Sequence, residues 1–207
     1  MALLLGVSAG MALAGYKARR WEPGPVDSYP SRLESEGVTI AVQALYTDEL
    51  AAKAFDKGDI VTRGIMPLAV IVFNGNDFPV AVESEGIELI GGGDHLRSML
   101  PGEAVSRLFQ KGKKSIWIPQ PVPKLPSQST PDKDASEDFD SKFLGTRVAP
   151  AKGMACGFLF FQIPSNDLHS YLRHSHLLIP QIYRQDDGRR LLFFDVELEA
   201  SIVNTFN

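Results

Sequence analysis

The chain has 207 residues, 44% of them apolar, enough for one domain with tails or one large β-domain around a single core. Charged residues make up 22% and the net charge is −4, which gives no basic face for nucleic acid; Lys111, Lys113 and Lys114, beside Gly112, read as a solvated turn. The single cysteine, Cys156, excludes an internal disulfide and any CxxC motif, and next to Phe158–Phe161 it reads as a small buried apolar residue.

Residues 1–20 read as an export segment. Met1–Gly15 is uncharged and apolar, Ala12-Leu13-Ala14 supplies an A-x-A cleavage site, and Lys17, Arg19 and Arg20 follow. The alternative is a retained anchor: fifteen helical residues span about 22 Å, short of the roughly 30 Å hydrocarbon core. A third reading is a buried N-terminal helix of an intracellular protein. There is no lipobox cysteine. Residues 21–37, with Pro23, Pro25 and Pro30, read as an extended linker.

Val38–Leu45 alternates, with Ile40, Val42 and Ala44 on one face of a first strand. Thr47–Lys57 carries helix signals: Thr47 as cap, Asp48 and Glu49 at the positive end, Gly58 as the stop. Ile65–Phe73 is apolar nearly throughout and is expected to be buried on both faces. Asn74-Gly75-Asn76-Asp77 reads as a hairpin turn joining it to Phe78–Ile90, with Pro79 either starting that partner strand or placing it at a sheet edge. Gly91-Gly92-Gly93 is neither G-x-G-x-x-G nor a P-loop, so it reads as a turn.

Pro101–Gln110 is expected to be a short helix through Val105, Leu108 and Phe109, and Ser115–Ile118 a brief apolar segment. Residues 119–137 hold five prolines and read as a long exposed loop inserted in the domain. Phe143–Val148 leads into the turn at Ala149–Gly153, and Gly157–Ile163 is the second strongly buried strand. Ser165–Arg173 suits one or two helical turns, Leu177–Tyr183 a strand, and Asp186-Asp187-Gly188 a hairpin turn. In Leu191–Ala200, Phe194, Val196 and Leu198 face inward and Asp195, Glu197 and Glu199 outward. Ile65–Phe73 and Gly157–Ile163 are expected at the middles of opposed sheets. Many short strands with turns between them point to an antiparallel β-sandwich over residues 38–203 with one to three short helices.

Asn74…Asp77-Phe78-Pro79-Val80, Leu89-Ile90 before a Gly-rich turn, and Val148-Ala149-Pro150…Gly153…Gly157–Phe161…Ile163-Pro164 resemble the telokin-like, immunoglobulin-like domains of bacterial secreted and lipid-anchored proteins. The resemblance covers about residues 38–200. It implies an immunoglobulin-like fold and an extracytoplasmic binding or accessory role, and it carries no catalytic residues. The chain departs from that pattern in lacking the lipobox cysteine and in inserting the Pro-rich loop.

Little chemistry is visible. His174 and His176, two apart on an extended stretch, with His169 or Asp167 as a further ligand, form a weak zinc candidate without a strong metal spacing. No G-x-S-x-G elbow is present, and nothing in the sequence singles out His95 for a triad. Asp132, Asp134, Glu137, Asp138 and Asp140 lack a calcium-loop pattern. Trp117, Tyr171 and Phe206, with the 119–137 loop, are the candidate partner-docking residues. The expectation is a non-enzymatic, exported envelope module, periplasmic, membrane-anchored or secreted. It binds protein, needs no cofactor, and associates with membrane through residues 1–15 if they are uncleaved. The alternative is a metal-binding protein or metal-dependent enzyme using the segment His169–His176.

Overall fold

The computed structural model describes residues 15–109, 133–162, 167–191 and 193–203. Eleven strands are named among them, and every pairing between named strands is antiparallel. Strands β1 (Arg32–Ser35), β2 (Val38–Ala44), β3 (Ile65–Asn74) and β8 (Met154–Gln162) form the first sheet in the order β1-β2-β3-β8. β4 (Val80–Glu83), β7 (Thr146–Ala149) and β10 (Ile182–Arg184) form the second, in the order β10-β4-β7. The third contains β5 (Glu88–Gly91), β6 (Asp94–Arg97), β9 (Ser175–Ile179) and β11 (Phe194–Glu197), in the order β11-β9-β5-β6.

The first sheet is the middle layer, because β2, β3 and β8 bury residues on both faces. Alternate residues of a strand point to opposite sides. Met66, Leu68, Val70 and Val72 of β3 join Ile40 and Val42 of β2 and Leu159 and Phe161 of β8 in one core, closed by the other two sheets. Ile65, Ala69 and Ile71 join Ala41, Phe158 and Phe160 in a second core, closed by helices. Those helices are α1 (Asp48–Ala51), α2 (Pro101–Phe109) and α3 (Lys133–Lys142); α4 (Leu168–Arg173) and α5 (Glu199–Val203) belong to the first core. The second core holds an aromatic cluster: Phe55 meets Phe139, Phe158 and Phe160 at ring separations of 4.5, 5.1 and 5.8 Å. Such edge and offset contacts are favourable beyond the area they bury.

Several expectations change. The five α-helices exceed the one to three expected: α1, α2 and α3 cover the outer face of the first sheet, and α4 and α5 add to the first core. α1 stops at Ala51, well before Lys57: Thr47 caps it as expected, but Asp48 turns away to accept from the backbone N–H of Val61 and Thr62. Residues 21–37 are no free linker. They carry β1 and the 3-10 turn Val26–Ser28, with Tyr29 buried and Trp21 packed 4.8 Å from Phe158 between ring centroids. Glu36 and Gly37, both at positive φ, turn β1 into β2. Of the 119–137 insertion, residues 133–137 are helical in α3, whose Ala135 and Phe139 lie one turn apart and bury together; residues 119–132 lie outside the described residues.

β3 and β8 do pair, Met66 opposite Phe161 and Val70 opposite Gly157, but inside one sheet instead of in opposed sheets. β3 and β4 do not form a hairpin. Neither Asn74 nor Gly75 has the positive φ that a type I′ turn needs, so the chain crosses from the first sheet to the second. β4 starts directly after Pro79, one of the two alternatives, while the other fails: β4 is the centre of its sheet and no edge. Two-residue hairpin turns are found at Glu36-Gly37 and at Gly92-Gly93, the latter with φ of +58° and +88°, joining β5 to β6. Leu177–Tyr183 breaks at Pro180 into β9 and β10, which belong to different sheets.

Candidate functional site

A groove of about 610 Å³ opens where the first and third sheets come side by side. Its walls are Pro30–Leu33 leading into and along β1, Asp195–Glu197 of β11, and Glu199 and Ala200 at the start of α5. β1 ends the first sheet and β11 ends the third, and they are not hydrogen-bonded to each other. Each therefore presents one row of backbone N–H and C=O groups that no neighbouring strand of its own sheet takes up. Val196 points into the core, and strand alternation sends Asp195 and Glu197 outward. Leu33, 39% exposed, supplies an apolar wall.

Three carboxylates, Asp195, Glu197 and Glu199, line the groove against one guanidinium. Arg32 is already engaged: its Nη1 donates to the Tyr29 carbonyl at 2.7 Å, and its Nη2 lies 3.5 Å from Asp27. His176 Nε2 lies 3.7 Å from Asp195. Glu197 and Glu199 make no ion pair among the described residues, so the lining carries net negative charge. Nothing in the sequence marked this groove, because β1 and β11 are far apart in the chain and only the sheet edges bring them together.

The three histidines diverge. His169 sits against the Tyr46 ring with centroids 6.3 Å apart, His174 Nδ1 is 3.2 Å from the Ser170 carbonyl oxygen, and His176 faces Asp195. Asp167 caps α4 by accepting from the Ser170 N–H at 2.9 Å. Among the described residues no three His, Cys, Asp or Glu side chains form a group able to hold a metal ion. Tyr171 is a core residue, 9% exposed, with its ring over the Gly91–Gly92 hairpin. It is too buried to dock a partner, and burial pushes its hydroxyl pKa up. Trp117 and Phe206 lie outside the described residues, as do Lys111, Lys113 and Lys114.

A second polar cluster is structural. The Tyr16 hydroxyl donates to Asp138 Oδ2 at 2.6 Å and accepts from the Asp56 N–H at 3.3 Å. Lys142 Nζ donates to Asp138 at 2.7 Å and to the Ala54 carbonyl at 2.6 Å. Lys17 N–H and Arg19 both reach Asp56. Burial, then the Asp138 bond, drives the Tyr16 pKa far above its ordinary value, while burial lowers that of Lys142 against the pull of Asp138. The cluster stitches residues 15–20 to α3. No helix among the described residues is long and apolar enough to cross a membrane, and residues 1–14, with their cleavage or retention, lie outside them.

Comparison with known proteins adds likeness without a family. No family model matches the chain, and no curated protein matches it. Among solved structures, the yjhA protein of Bacillus subtilis is 9% identical with a TM-score of 0.37, over 73% of this chain and 78% of that one. A proposed lipoprotein, ycdA of Bacillus subtilis subsp. subtilis str. 168, is 12% identical with a TM-score of 0.38; the match takes 80% of this chain but spans only 38% of ycdA. At these values neither likeness carries a functional conclusion.

Proposed function

We propose that this chain is a non-enzymatic, extracytoplasmic module of immunoglobulin-like character that holds an extended segment of a partner protein in the β1–β11 groove. The observation that carries this reading is the groove itself: two sheet edges, not hydrogen-bonded to each other, flank a lined space of about 610 Å³. An extended segment lying along the groove satisfies one such edge with main-chain hydrogen bonds while alternate side chains fill pockets. The uncompensated carboxylates of Glu197 and Glu199 select a segment bearing lysine or arginine, and their attraction weakens as salt rises. The apolar run at 1–14 with its A-x-A site supports export.

The test is a photo-crosslinking residue placed at Leu33 in the full chain expressed in its own cells, with Lys53 as a distant control. The expected result is a discrete adduct from Leu33, absent from Lys53 and lost when Ala200→Trp fills the groove. Equal labelling from both positions, or an adduct indifferent to Ala200→Trp, overturns the reading. Cell fractionation with the mass of the mature N-terminus tests export: a chain found intact in the cytosol contradicts it.

A further inference from the structure

Asn74 ends β3 at the crossing between the first two sheets, and its side chain holds that corner together. It is 3% exposed. Its Nδ2 lies 2.7 Å from the Phe78 carbonyl, 3.0 Å from that of Pro150 and 3.2 Å from that of Ala149, while its Oδ1 accepts from the Asn76 N–H at 3.0 Å. One amide thus joins the end of β3 to the approach of β4 and to the end of β7. The next residue is glycine, and its backbone N–H donates to the Gly37 carbonyl at 2.8 Å.

Asparagine before glycine is the pair most open to deamidation, because the glycine nitrogen meets no side chain on its way to the asparagine Cγ. The peptide nitrogen of Gly75 attacks Cγ of Asn74, and Nδ2 leaves as ammonia with the proton given up by that nitrogen. Water then opens the imide at either carbonyl, leaving aspartate or isoaspartate. The balance is amide plus water to acid plus ammonia, with no oxidant or reductant. In the folded domain both reacting groups are held: the Gly75 N–H is committed to Gly37, and Asn74 Cγ is fixed by the bonds of its own amide.

We propose that Asn74-Gly75 is a deamidation site that folding closes and unfolding opens, so that time spent unfolded converts the domain irreversibly. The product cannot rebuild the corner. Aspartate at 74 turns an oxygen toward three carbonyl oxygens where a donor stood, and a buried acceptor facing acceptors is strongly unfavourable. Isoaspartate lengthens the main chain by one carbon at the end of β3 and removes the side-chain amide from the corner.

The experiment holds the full chain at mildly alkaline pH, in native buffer and in urea, for equal times. Peptide mass spectrometry follows Asn74, and near-ultraviolet circular dichroism follows refolding on dilution. Expected are conversion at Asn74 in urea, at least about tenfold less in native buffer, and loss of refoldable protein in step with conversion. Gly75→Ala, normalised to its own starting signal, loses refolding competence more slowly in urea. Equal conversion in both buffers, or a deamidated fraction that refolds to the parent melting temperature, overturns the proposal.

Discussion

Asp138→Ala isolates the cluster that ties the N-terminal segment to α3. Asp138 is 5% exposed and accepts from both the Tyr16 hydroxyl and Lys142 Nζ. Truncation leaves the ammonium mostly buried, with the Ala54 carbonyl and the Phe55 ring as its partners, and removes the acceptor of Tyr16. Breaking a buried ion pair from one side costs about 3–5 kcal/mol. The Lys142 side chain keeps 14% of its surface in solvent, so water offsets part of this and the expected loss is about 3 kcal/mol, the low end of that range. That is a large share of the roughly 5–15 kcal/mol that stabilises an ordinary domain. Urea unfolding of parent, Asp138→Ala, Lys142→Met and the double variant measures it. Removing the lysine as well removes the stranded charge, so the double variant recovers much of the single loss and the cycle shows coupling of about 1–3 kcal/mol. A single-variant loss under about 1 kcal/mol, the range of an exposed pair, or a double variant that is simply additive, refutes the reasoning.

Three further outcomes follow from the same contacts. Tyr16 has a raised folded pKa, so its contribution is full below the unfolded value near 10 and is lost as pH rises beyond it; stability measured across that alkaline limb falls in the parent, and Tyr16→Phe flattens the fall. Lys142, lowered by burial, acts with the opposite sign and below its ordinary value of 10.5, so the limb above that belongs to Tyr16. Asp56 has a lowered pKa, chiefly from the Lys17 N–H and then Arg19, so its contribution is lost as pH falls below 3.8, and Asp56→Asn reduces the slope of acid unfolding. Gly157→Ala places a Cβ inside the contact distance of Leu144, whose backbone nitrogen would lie 2.8 Å away, and is expected to cost about 1–3 kcal/mol or more by thermal unfolding; Gly102→Ala, in α2 with open space around it, is the control and is expected to stabilise by up to about 1 kcal/mol.

The parts of the fold legible in the sequence are those whose signal is local and periodic. An unbroken apolar run such as Ile65–Phe73 has one simple explanation, burial on both faces, and the two cores on either side of β3 bear it out. The alternation in Val38–Leu45 and in Phe194–Leu198 likewise gives the inward set correctly. What the pattern lacks is partner identity. Asn-Gly reads as a hairpin turn because its composition suits positive φ, yet the side chain of Asn74 finds three carbonyls and the main chain goes elsewhere. β1 is invisible for the opposite reason: Arg-Leu-Glu-Ser has no apolar alternation, and it is a strand only because β2 offers it a free edge.

The same distinction explains why site reasoning from the sequence went to histidines and aromatic residues. Residue type marks chemistry only where the fold makes side chains converge, and His169, His174 and His176 lie close in the chain but point to three different neighbours. Tyr171 carries a docking residue's composition and a core residue's burial, because α4 lays it over a hairpin that has only glycines beneath it. The groove is the reverse case. Its carboxylates were read as the outer face of a strand, which they are, and a surface carboxylate is ordinarily without consequence. They line a groove only because β11 ends one sheet, β1 ends another, and the chain brings the two ends side by side. A binding surface made of edges is therefore a property of topology. In a β-protein whose sheets are assembled from distant segments, the pairing of strands has to be known before the charged residues on them can be assigned a role.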